Sequence, residues 1–447
     1  MNKKIITIIT LFIIIFGLAV YLYSSSIHVT PLTQGPNITS SDRVLIVAPH
    51  PDDETVACGG LIRYCVKNNI PLSVVVVTNG GKGHMGVVRH QESINATMTL
   101  GLPPENITFL DYPQALQYLF NDNWNHPWEE DGNSTQNVFA YQKNALNTGD
   151  NIEKNLESTI KDFNPTIIIY PYPNDANPDH WGTSSFVEYA TNNLNYTGKK
   201  YSYPVHVASQ WPFPRSYFPQ INLLPPSFLK NQINWLVFPI NDSDEKIKYK
   251  AINNYKSQLQ GDPTFLLSYV RKNELFIPYE QDTVQKKPVS IDYINNNQFP
   301  PTLFKDPVGD TLVKPPLDTF YSTVSNLNLM DLTDIGFDED NNTIWMSLKT
   351  VGGPSKIGIY NFHIRGFGSS GVNRIDVKVQ NGTCNYVMLA SNSLKPDSLK
   401  VKVNDNGIII GIPSNLLNDQ KYMLSVDDMR NNQFLDRTGW YTVNIIS

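Results

Sequence analysis

The chain has 447 residues and a formal net charge of −6, and 40% of its residues are hydrophobic. This length exceeds one ordinary domain, so we expect two or three domains with substantial cores. The acidic balance argues against nucleic acid as a partner, because binding to phosphates requires a basic surface. Three cysteines are too few for a disulfide framework.

The N-terminal segment predicts a membrane anchor. Lys3 and Lys4 precede residues 5–23, an apolar run that contains no charged residue. A run of about 20 residues can span the hydrocarbon core of a bilayer, and lysines before it place the following chain outside the membrane. We therefore predict an anchor or signal segment over residues 1–24 and a linker over residues 25–41. The catalytic domain would be extracytoplasmic, or secreted if the segment is cleaved.

The next region, residues 42–277, alternates apolar runs with helical segments. The predicted strands cover residues 44–48, 72–78, 107–109 and 166–170, and the predicted helices cover residues 55–68, 89–100 and 152–163. Such alternation indicates an α/β domain with a Rossmann-like, mostly parallel sheet and helices on both faces. Ligands bind beyond the carboxyl ends of the strands in these sheets. Residues 111–150 show no clear period, which is typical of a binding loop, a lid or an unrecognised helix.

The C-terminal part of the chain has a different pattern. Residues 278–316 are rich in proline and are predicted to form a linker. Beyond them, short alternating segments such as "KIGIYNFHIRG" are separated by Gly and Asn turns. This pattern predicts an all-β, sandwich-like domain over residues 317–447.

The stretch "VLIVAPHPDDETVACGG" concentrates charge at the end of the first predicted strand of this region. It places His50, Asp52, Asp53 and Glu54 between an apolar strand and a helix. Acids at a helix start can be caps that the helix dipole stabilises, which would account for one or two of them. Alternatively, His50 and Asp53 could meet His180, which follows another strand, and form a three-ligand zinc site. Spacing alone leaves both interpretations open.

The same stretch resembles a known family signature. "APHPDDETVACGG" is similar to the "AHPDDE…GG" motif of the PIG-L/LmbE-like zinc-dependent N-acetylglucosaminyl deacetylases, and "VVVVTNGGKG", "VRHQESINATMTLGL", "PDHWGT" and "KYKAINNYKSQL" follow in family order. The resemblance covers roughly residues 42–275. It implies a hydrolase that cleaves the linear amide C–N bond of an N-acetylglucosamine-type sugar or glycoconjugate and releases acetate.

The resemblance also implies roles for individual residues. His50, Asp53 and His180 would bind Zn²⁺, and Asp52 would be the general base. Zinc lowers the pKa of its water toward neutrality, and a neighbouring carboxylate can take the proton. Other divalent ions remain possible, because nitrogen and oxygen ligands of this kind accept several metals.

Further residues are expected around this centre. Arg89 and Glu92 match the family's "R-x-x-E" helix, so Arg89 would hold a hydroxyl-rich substrate or pair with Glu92. Glu54, Glu92 and Asp179 are expected just outside the ligands, where Asp179 would orient His180.

Asn177 marks a departure from the family, whose members often carry "HPDH" where this chain has "NPDH". An asparagine can donate a hydrogen bond to a tetrahedral oxyanion, but it cannot serve as a cationic acid. Turnover would then be slower, or another group would protonate the leaving amine.

The segment "FKDPVGDTLVKPPLDTF" resembles the "DPxGD" opening of surface β-domains that are attached to extracellular carbohydrate enzymes; a structural spacer is the other interpretation. Two further functions stay open for the whole chain. One is a related amide hydrolase that acts on a non-sugar acetamide. The other is a non-catalytic surface protein that binds glycans.

Overall fold

The computed structural model describes residues 32–81, 84–128, 139–207, 211–279, 281–311, 330–368, 371–380, 383–389, 392–394, 399–417, 419–430 and 433–446. The predicted anchor, residues 5–23, lies outside these ranges. Within them, no helix is both long and apolar enough to cross a membrane. The longest has 17 residues and contains Arg89 and Glu92, whereas a span needs about 20 apolar residues. The membrane-anchored, extracytoplasmic localisation predicted from the sequence is therefore corrected, because the structure gives it no support.

The first domain is built on an eight-stranded sheet. Its strands are β1 (Thr33–Gln34), β2 (Val44–Ala48), β3 (Leu72–Thr78), β4 (Ile107–Tyr112), β5 (Ile167–Pro171), β6 (Lys199–Tyr203), β7 (Leu236–Pro239) and β8 (Asn273–Pro278). They lie in the order β1-β7-β8-β6-β5-β2-β3-β4. The five strands from β6 to β4 are parallel, and β8 is antiparallel to β6 and β7. This confirms the predicted, mostly parallel α/β sheet.

Eight helices are described around this sheet. They are α1 (Asp53–Lys67), α2 (His84–Leu100), α3 (Leu116–Asn121), α4 (Gly149–Phe163), α5 (Pro178–Asn193), α6 (Asp242–Ile252), α7 (Lys256–Leu259) and α8 (Pro263–Leu267). The central strand β2 is buried along its whole length. Its alternate residues enter two separate cores, with Ile46 on one face and Leu45 on the other, because successive strand side chains point to opposite faces. Helices therefore cover both faces, as predicted.

The second domain is a pair of β-sheets. Its strands are β9 (Asp282–Gln285), β10 (Thr302–Lys305), β11 (Leu332–Glu339), β12 (Thr343–Thr350), β13 (Ile359–Gly368), β14 (Gly371–Gln380), β15 (Thr383–Leu389), β16 (Asn392–Leu394), β17 (Lys400–Asn404), β18 (Gly407–Pro413), β19 (Lys421–Arg430), β20 (Gln433–Arg437) and β21 (Tyr441–Ile446). One sheet has the order β10-β11-β12-β18-β17. The other has the order β16-β15-β14-β13-β19-β21-β9, with β20 paired to β19. Residues of both sheets, such as Phe337 and Phe362, share one core.

The stretch predicted to be a proline-rich linker, residues 278–316, contains two strands of this second domain. β9 pairs with the C-terminal strand β21, and β10 pairs with β11. Proline reduces the number of backbone donors but does not exclude short edge strands. The chain thus enters the sandwich well before residue 317.

The two domains pack closely against each other. Trp440 is 4% exposed and lies in the same core as α3, α4 and α5, with its ring 5.3 Å from that of Phe120. Arg437 stacks 3.9 Å above the ring of Trp181 and donates a 2.6 Å hydrogen bond to the carbonyl of Pro173. A Cβ at Gly439 would meet Pro173 at 2.3 Å, so only glycine allows this approach.

We expect Trp440→Ala to lower the free energy of unfolding by about 3–5 kcal/mol, because it removes a buried indole from the domain junction. Phe434→Ala is the matched control, since Phe434 is 45% exposed in the same domain and its loss should cost about 0.5 kcal/mol or less. Denaturant unfolding of the full chain measures both. Equal midpoints for the two variants would contradict this packing.

Candidate active site

The sharp turn between β2 and α1 brings the charged cluster together. The backbone of Asp52 has φ 147 and ψ −31, a conformation that residues other than glycine rarely adopt. Its carbonyl accepts hydrogen bonds from the amides of Thr55 at 3.0 Å and Val56 at 2.9 Å, which begins the helix. Strain of this kind persists where surrounding contacts enforce it, and it is concentrated at functional sites.

His50, Asp53 and His180 converge at this turn. Asp53 Oδ2 lies 3.2 Å from His50 Nδ1 and 3.2 Å from His180 Nε2, and all three side chains are buried. Neither ring nitrogen of His180 has a hydrogen-bond partner of acceptable geometry. Ligands about 2.1 Å from a tetrahedral ion lie roughly 3.4 Å apart. These separations and the unsatisfied nitrogens therefore fit a shared divalent metal.

Each of the two histidines has a second carboxylate on its other nitrogen. His50 Nε2 lies 3.1 Å from Asp179 Oδ2, and His180 Nδ1 lies 3.3 Å from Asp175 Oδ2. A carboxylate on the far nitrogen fixes the ring orientation and the tautomer of a metal-binding histidine. Asp179 was expected to orient His180. Its carboxylate instead contacts His50, because the side chains of Asp179 and His180 leave α5 in different directions.

The charges of this cluster are strongly coupled. Burial would raise the pKa of Asp53, but His180 and His50 hold it well below its usual value. Burial would lower the pKa of His180, but Asp53 and Asp175 raise it well above its usual value. Without a metal, the cluster therefore favours protonated imidazole beside ionised carboxylate. A metal ion can replace those protons, because it requires the same deprotonated ligands.

Asp52 lies beside the three converging residues but has a different partner. Its Oδ2 accepts a 3.0 Å hydrogen bond from Arg89 Nη2. Burial raises the pKa of Asp52 to about 7, although the Arg89 guanidinium opposes this change. A nearby metal cation would favour the ionised form. Asp52 is thus a carboxylate that can exchange a proton near neutrality.

Arg89 holds the turn rather than pairing with Glu92. Its guanidinium donates to the carbonyls of Gly80 and Pro51 as well as to Asp52. Gly80 has φ +68, and a Cβ there would lie 2.8 Å from Arg89 Nη1, so this approach depends on glycine. Glu92 instead accepts hydrogen bonds from the backbone and hydroxyl groups of Ser257, at 2.8 and 2.6 Å. The predicted Arg89–Glu92 pair does not form.

Glu54 is fully buried behind the turn. Its carboxylate accepts hydrogen bonds from the Asp52 amide at 3.0 Å and the Tyr255 hydroxyl at 2.6 Å. Ser93 also donates to it. These contacts link the turn to α2 and to the "KYKAINNYKSQL" segment, and they keep Glu54 outside the group of converging ligands.

Asn177 caps helix α5. Its side-chain oxygen accepts a 2.9 Å hydrogen bond from the Asp179 amide, and the next residue, Pro178, occupies the first helical position. Both features are typical of helix starts. Asn177 therefore stabilises the start of α5, a local role that competes with the hydrogen bond to the oxyanion predicted for it.

His206 is a further residue at this site that was not predicted from the sequence. Its ring centroid lies 4.8 Å from that of His180, and its ring stacks on Phe265 at 5.1 Å. Burial lowers the pKa of His206 to about 4, and His180 adds to this effect, so the ring is neutral at pH 7. The signal was present, because His206 follows β6 at the same edge of the parallel sheet where His50 and His180 lie.

Asp175 was also missed, although it lies in the "PNDANPDH" loop that supplied His180. It is fully buried, and its Oδ2 accepts hydrogen bonds from the amides of Val205 and His206, at 3.1 and 2.8 Å. Asp175 thereby joins the loop after β5 to the loop after β6. A contact between two loops that are distant in the sequence cannot be predicted from residue spacing.

The chain carries a PIG-L family domain, because residues 45–191 match the family model described as "GlcNAc-PI de-N-acetylase". A probable N-acetyl-alpha-D-glucosaminyl L-malate deacetylase 2 of Bacillus anthracis is 26% identical over 147 residues. This match covers 32% of the chain and 57% of that relative. The chain thus spans less than two thirds of the relative's length.

Solved structures resemble the same part of the chain. The zinc-inhibited form of teicoplanin deacetylase Orf2 is 17% identical, with a TM-score of 0.37, and covers 53% of this chain and 97% of its own. The N,N'-diacetylchitobiose deacetylase from Pyrococcus horikoshii is 18% identical, with a TM-score of 0.34, and covers 53% of this chain and 83% of its own. About half of the present chain is therefore overlaid in each case.

We expect Asp175→Asn to weaken divalent-metal binding by about 10- to 100-fold, the usual effect of losing the acid that orients a histidine ligand. Asp162→Asn, an exposed acid at the end of α4, is the matched control and should bind metal normally. Competition with a chromogenic chelator measures both affinities. Unchanged affinity in Asp175→Asn would show that Asp175 does not support His180.

Proposed function

We propose that the chain is a metal-dependent N-deacetylase of N-acetylated sugars, with zinc as the metal and an N-acetylglucosamine-type compound as the substrate. One observation carries the proposal. Within a PIG-L family domain, a buried carboxylate that can exchange a proton, Asp52, lies directly beside a convergent His-Asp-His cluster. This combination suits amide hydrolysis, which needs an activated water and a proton acceptor next to it.

His50, Asp53 and His180 would hold the metal, and Asp175 and Asp179 would orient the two rings. When bound, a divalent ion supplies Lewis acidity and lowers the pKa of a water molecule. Asp52 accepts the proton that water loses on attacking the acetamide carbon. Once the C–N bond breaks, Asp52 can return that proton to the leaving amine, so the products are acetate and a free amino sugar.

Arg89 positions Asp52 in this scheme. Its guanidinium bridges Asp52 to two carbonyls of the surrounding loops, so the carboxylate has one orientation before substrate binds. Such preorganisation lowers the reorganisation needed during the reaction. We therefore assign Arg89 a positioning role in place of the substrate contact expected from the sequence.

His206 would stabilise the oxyanion in place of Asn177. Asn177 uses its side-chain oxygen to cap α5, whereas His206 is a neutral imidazole beside His180. A neutral imidazole N–H can donate a hydrogen bond to the oxygen that becomes negative in the tetrahedral state. The loop after β6 would then supply the group that the "NPDH" sequence lacks.

We further propose residues 42–277 as the catalytic domain. All the residues proposed for the reaction lie in this range. They are on the turn after β2 and the start of α1, on α2, in the loop after β5 and the start of α5, and in the loop after β6. The sandwich packs against α5 through Trp181 and Trp440. Its contribution to the reaction would be structural support for the loop that carries Asp175.

Two variants separate metal binding from proton transfer. Asp53→Ala removes one of three proposed ligands, so metal content and acetate release should fall together. Asp52→Asn keeps the shape and the ligands, so it should retain metal but lose about 10²–10⁴-fold in rate, the usual effect of a positioned base. Metal content and single-turnover acetate release from N-acetylhexosamine compounds are measured side by side. The opposite pattern would mean that the two carboxylates exchange roles.

His206→Ala should lower kcat by about 10²–10³-fold, the usual effect of losing one oxyanion donor, with KM nearly unchanged. His206→Gln retains an N–H donor and should recover part of this loss. Metal content serves as the control, because His206 is not a proposed ligand. If both variants lose metal to the same degree as activity, His206 acts on the metal cluster and not on the oxyanion.

A further inference from the structure

A second cluster of acids lies at the junction of the two domains. Asp306 and Asp310 are the two acids of the "DPVGD" motif, and Asp436 comes from β20. One carboxylate oxygen from each lies within 4.8 Å of the other two. Asp306 and Asp436 are 3% and 2% exposed. Buried carboxylates repel one another and lose hydration, so an arrangement of this kind requires protons or a cation.

A residue of the catalytic domain also faces this cluster. Asn174 is 8% exposed, and its Nδ2 donates a 2.7 Å hydrogen bond to Asp306 Oδ1. Its Oδ1 is buried without a hydrogen-bond partner. Oxygen and nitrogen of an amide exchange places on a half-turn of the group. In the exchanged orientation the Asn174 oxygen points toward the acids, and a cation between them would make this arrangement favourable.

Two of the acids in the cluster have unsatisfied oxygens, which also favours a bound cation. Asp306 Oδ2 and Asp310 Oδ1 are also buried and lack hydrogen-bond partners. Each buried acceptor without a partner costs about 1–3 kcal/mol of folding free energy, even when the other oxygen of the same group is hydrogen-bonded. One ion between Asp306 and Asp310 would satisfy both of these oxygens, and the exchanged Asn174 amide would add a third.

Among the described residues, Arg437 offsets part of the negative charge of the cluster. Arg437 is the adjacent residue to Asp436, but its guanidinium stacks on Trp181 and donates to the Pro173 carbonyl. Asp331 adds further negative charge and accepts the Gly309 amide at 3.2 and 3.1 Å. The guanidinium of Arg437 is directed away from the acids, so the carboxylates outnumber the cations around this cluster.

We propose that Asp306, Asp310, Asp436 and Asn174 form a calcium site that joins the two domains. Carboxylate and amide oxygens are the ligands that calcium prefers, at about 2.3–2.6 Å, so ligands on opposite sides of the ion are roughly 4.6–5.2 Å apart. One oxygen from each of the three acids can therefore contact a single ion of this size. Asp306 also lines a surface groove with Gln232 and Thr333, which gives an ion a route to the site.

The site has a mechanical consequence. Asn174 belongs to the loop after β5, Asp306 and Asp310 to the segment after β10, and Asp436 to β20. An ion bound by all four residues holds the catalytic domain to the sandwich. This site is separate from the His50–Asp53–His180 cluster in residues and in ligand chemistry, since imidazole nitrogens favour zinc and oxygens favour calcium.

The test uses the full chain after chelator treatment, with calcium chloride alone as the probe. Calorimetric titration should show about one calcium per chain, and calcium should raise the unfolding midpoint. Asp310→Asn should weaken calcium binding at least tenfold and abolish the shift in the midpoint. Asp162→Asn removes an exposed acid at the end of α4 and should behave as the unchanged protein. Asn174→Ala provides a second variant that removes no charge, and it too should weaken binding.

Three results would overturn the proposal. The first is no heat and no midpoint shift in the unchanged chain up to about 10 mM calcium, well above the dissociation constant of about 1 mM at the weak end of protein sites. The second is an equal calcium response in Asp310→Asn and Asp162→Asn, which would place the ion elsewhere. The third is an equal response to magnesium and calcium. None of these readouts depends on acetate release, so they stand apart from the proposed deacetylase activity.

Discussion

A single carboxylate oxygen, Asp53 Oδ2, lies 3.2 Å from a nitrogen of each of two imidazoles, and much of the first domain serves to hold it there. The carboxyl ends of β2 and β5 must be adjacent, because one is followed by His50 and the other by His180. The parallel pairing of these strands provides that adjacency. The remaining polar groups, Arg89 and Glu54 among them, stabilise a turn that would otherwise be unfavourable.

The loop between β5 and α5 connects most of the features described. Within six residues, Pro173 contacts the sandwich, Asn174 faces the second acid cluster, Asp175 supports His180, and Asn177 caps the helix. Neighbouring side chains thus act on different partners in both domains. A displacement of this loop would affect the domain junction and the active-site histidine together, because the chain between them is too short to absorb the movement.

Local patterns explain what the sequence could predict. The Val- and Ile-rich runs at 44–48 and 72–78 match β2 and β3 to the residue, because strands buried on both faces have few alternatives. The position of His50, Asp53 and His180 after parallel strands allowed their convergence, and the resemblance to the family motif favoured it over a helix cap. Contacts between distant loops were not accessible, which is why Asp175 was missed. His206 was missed because the strand before it, β6, was not predicted from the sequence. The strands in 278–316 were missed because their partners, β11 and β21, lie far away in the sequence.

The backbone of Asp52 has a consequence for attempts to stabilise this protein. At φ 147, glycine is the residue that would relax the turn, and a search for thermostable sequences would favour it there. That replacement would also delete the carboxylate proposed to move the proton. The position therefore sets local stability against the proposed proton transfer, a trade-off that is common where natural sequences retain strained residues. Under that proposal, selection for folding alone would give a more stable chain that lacks its proton acceptor.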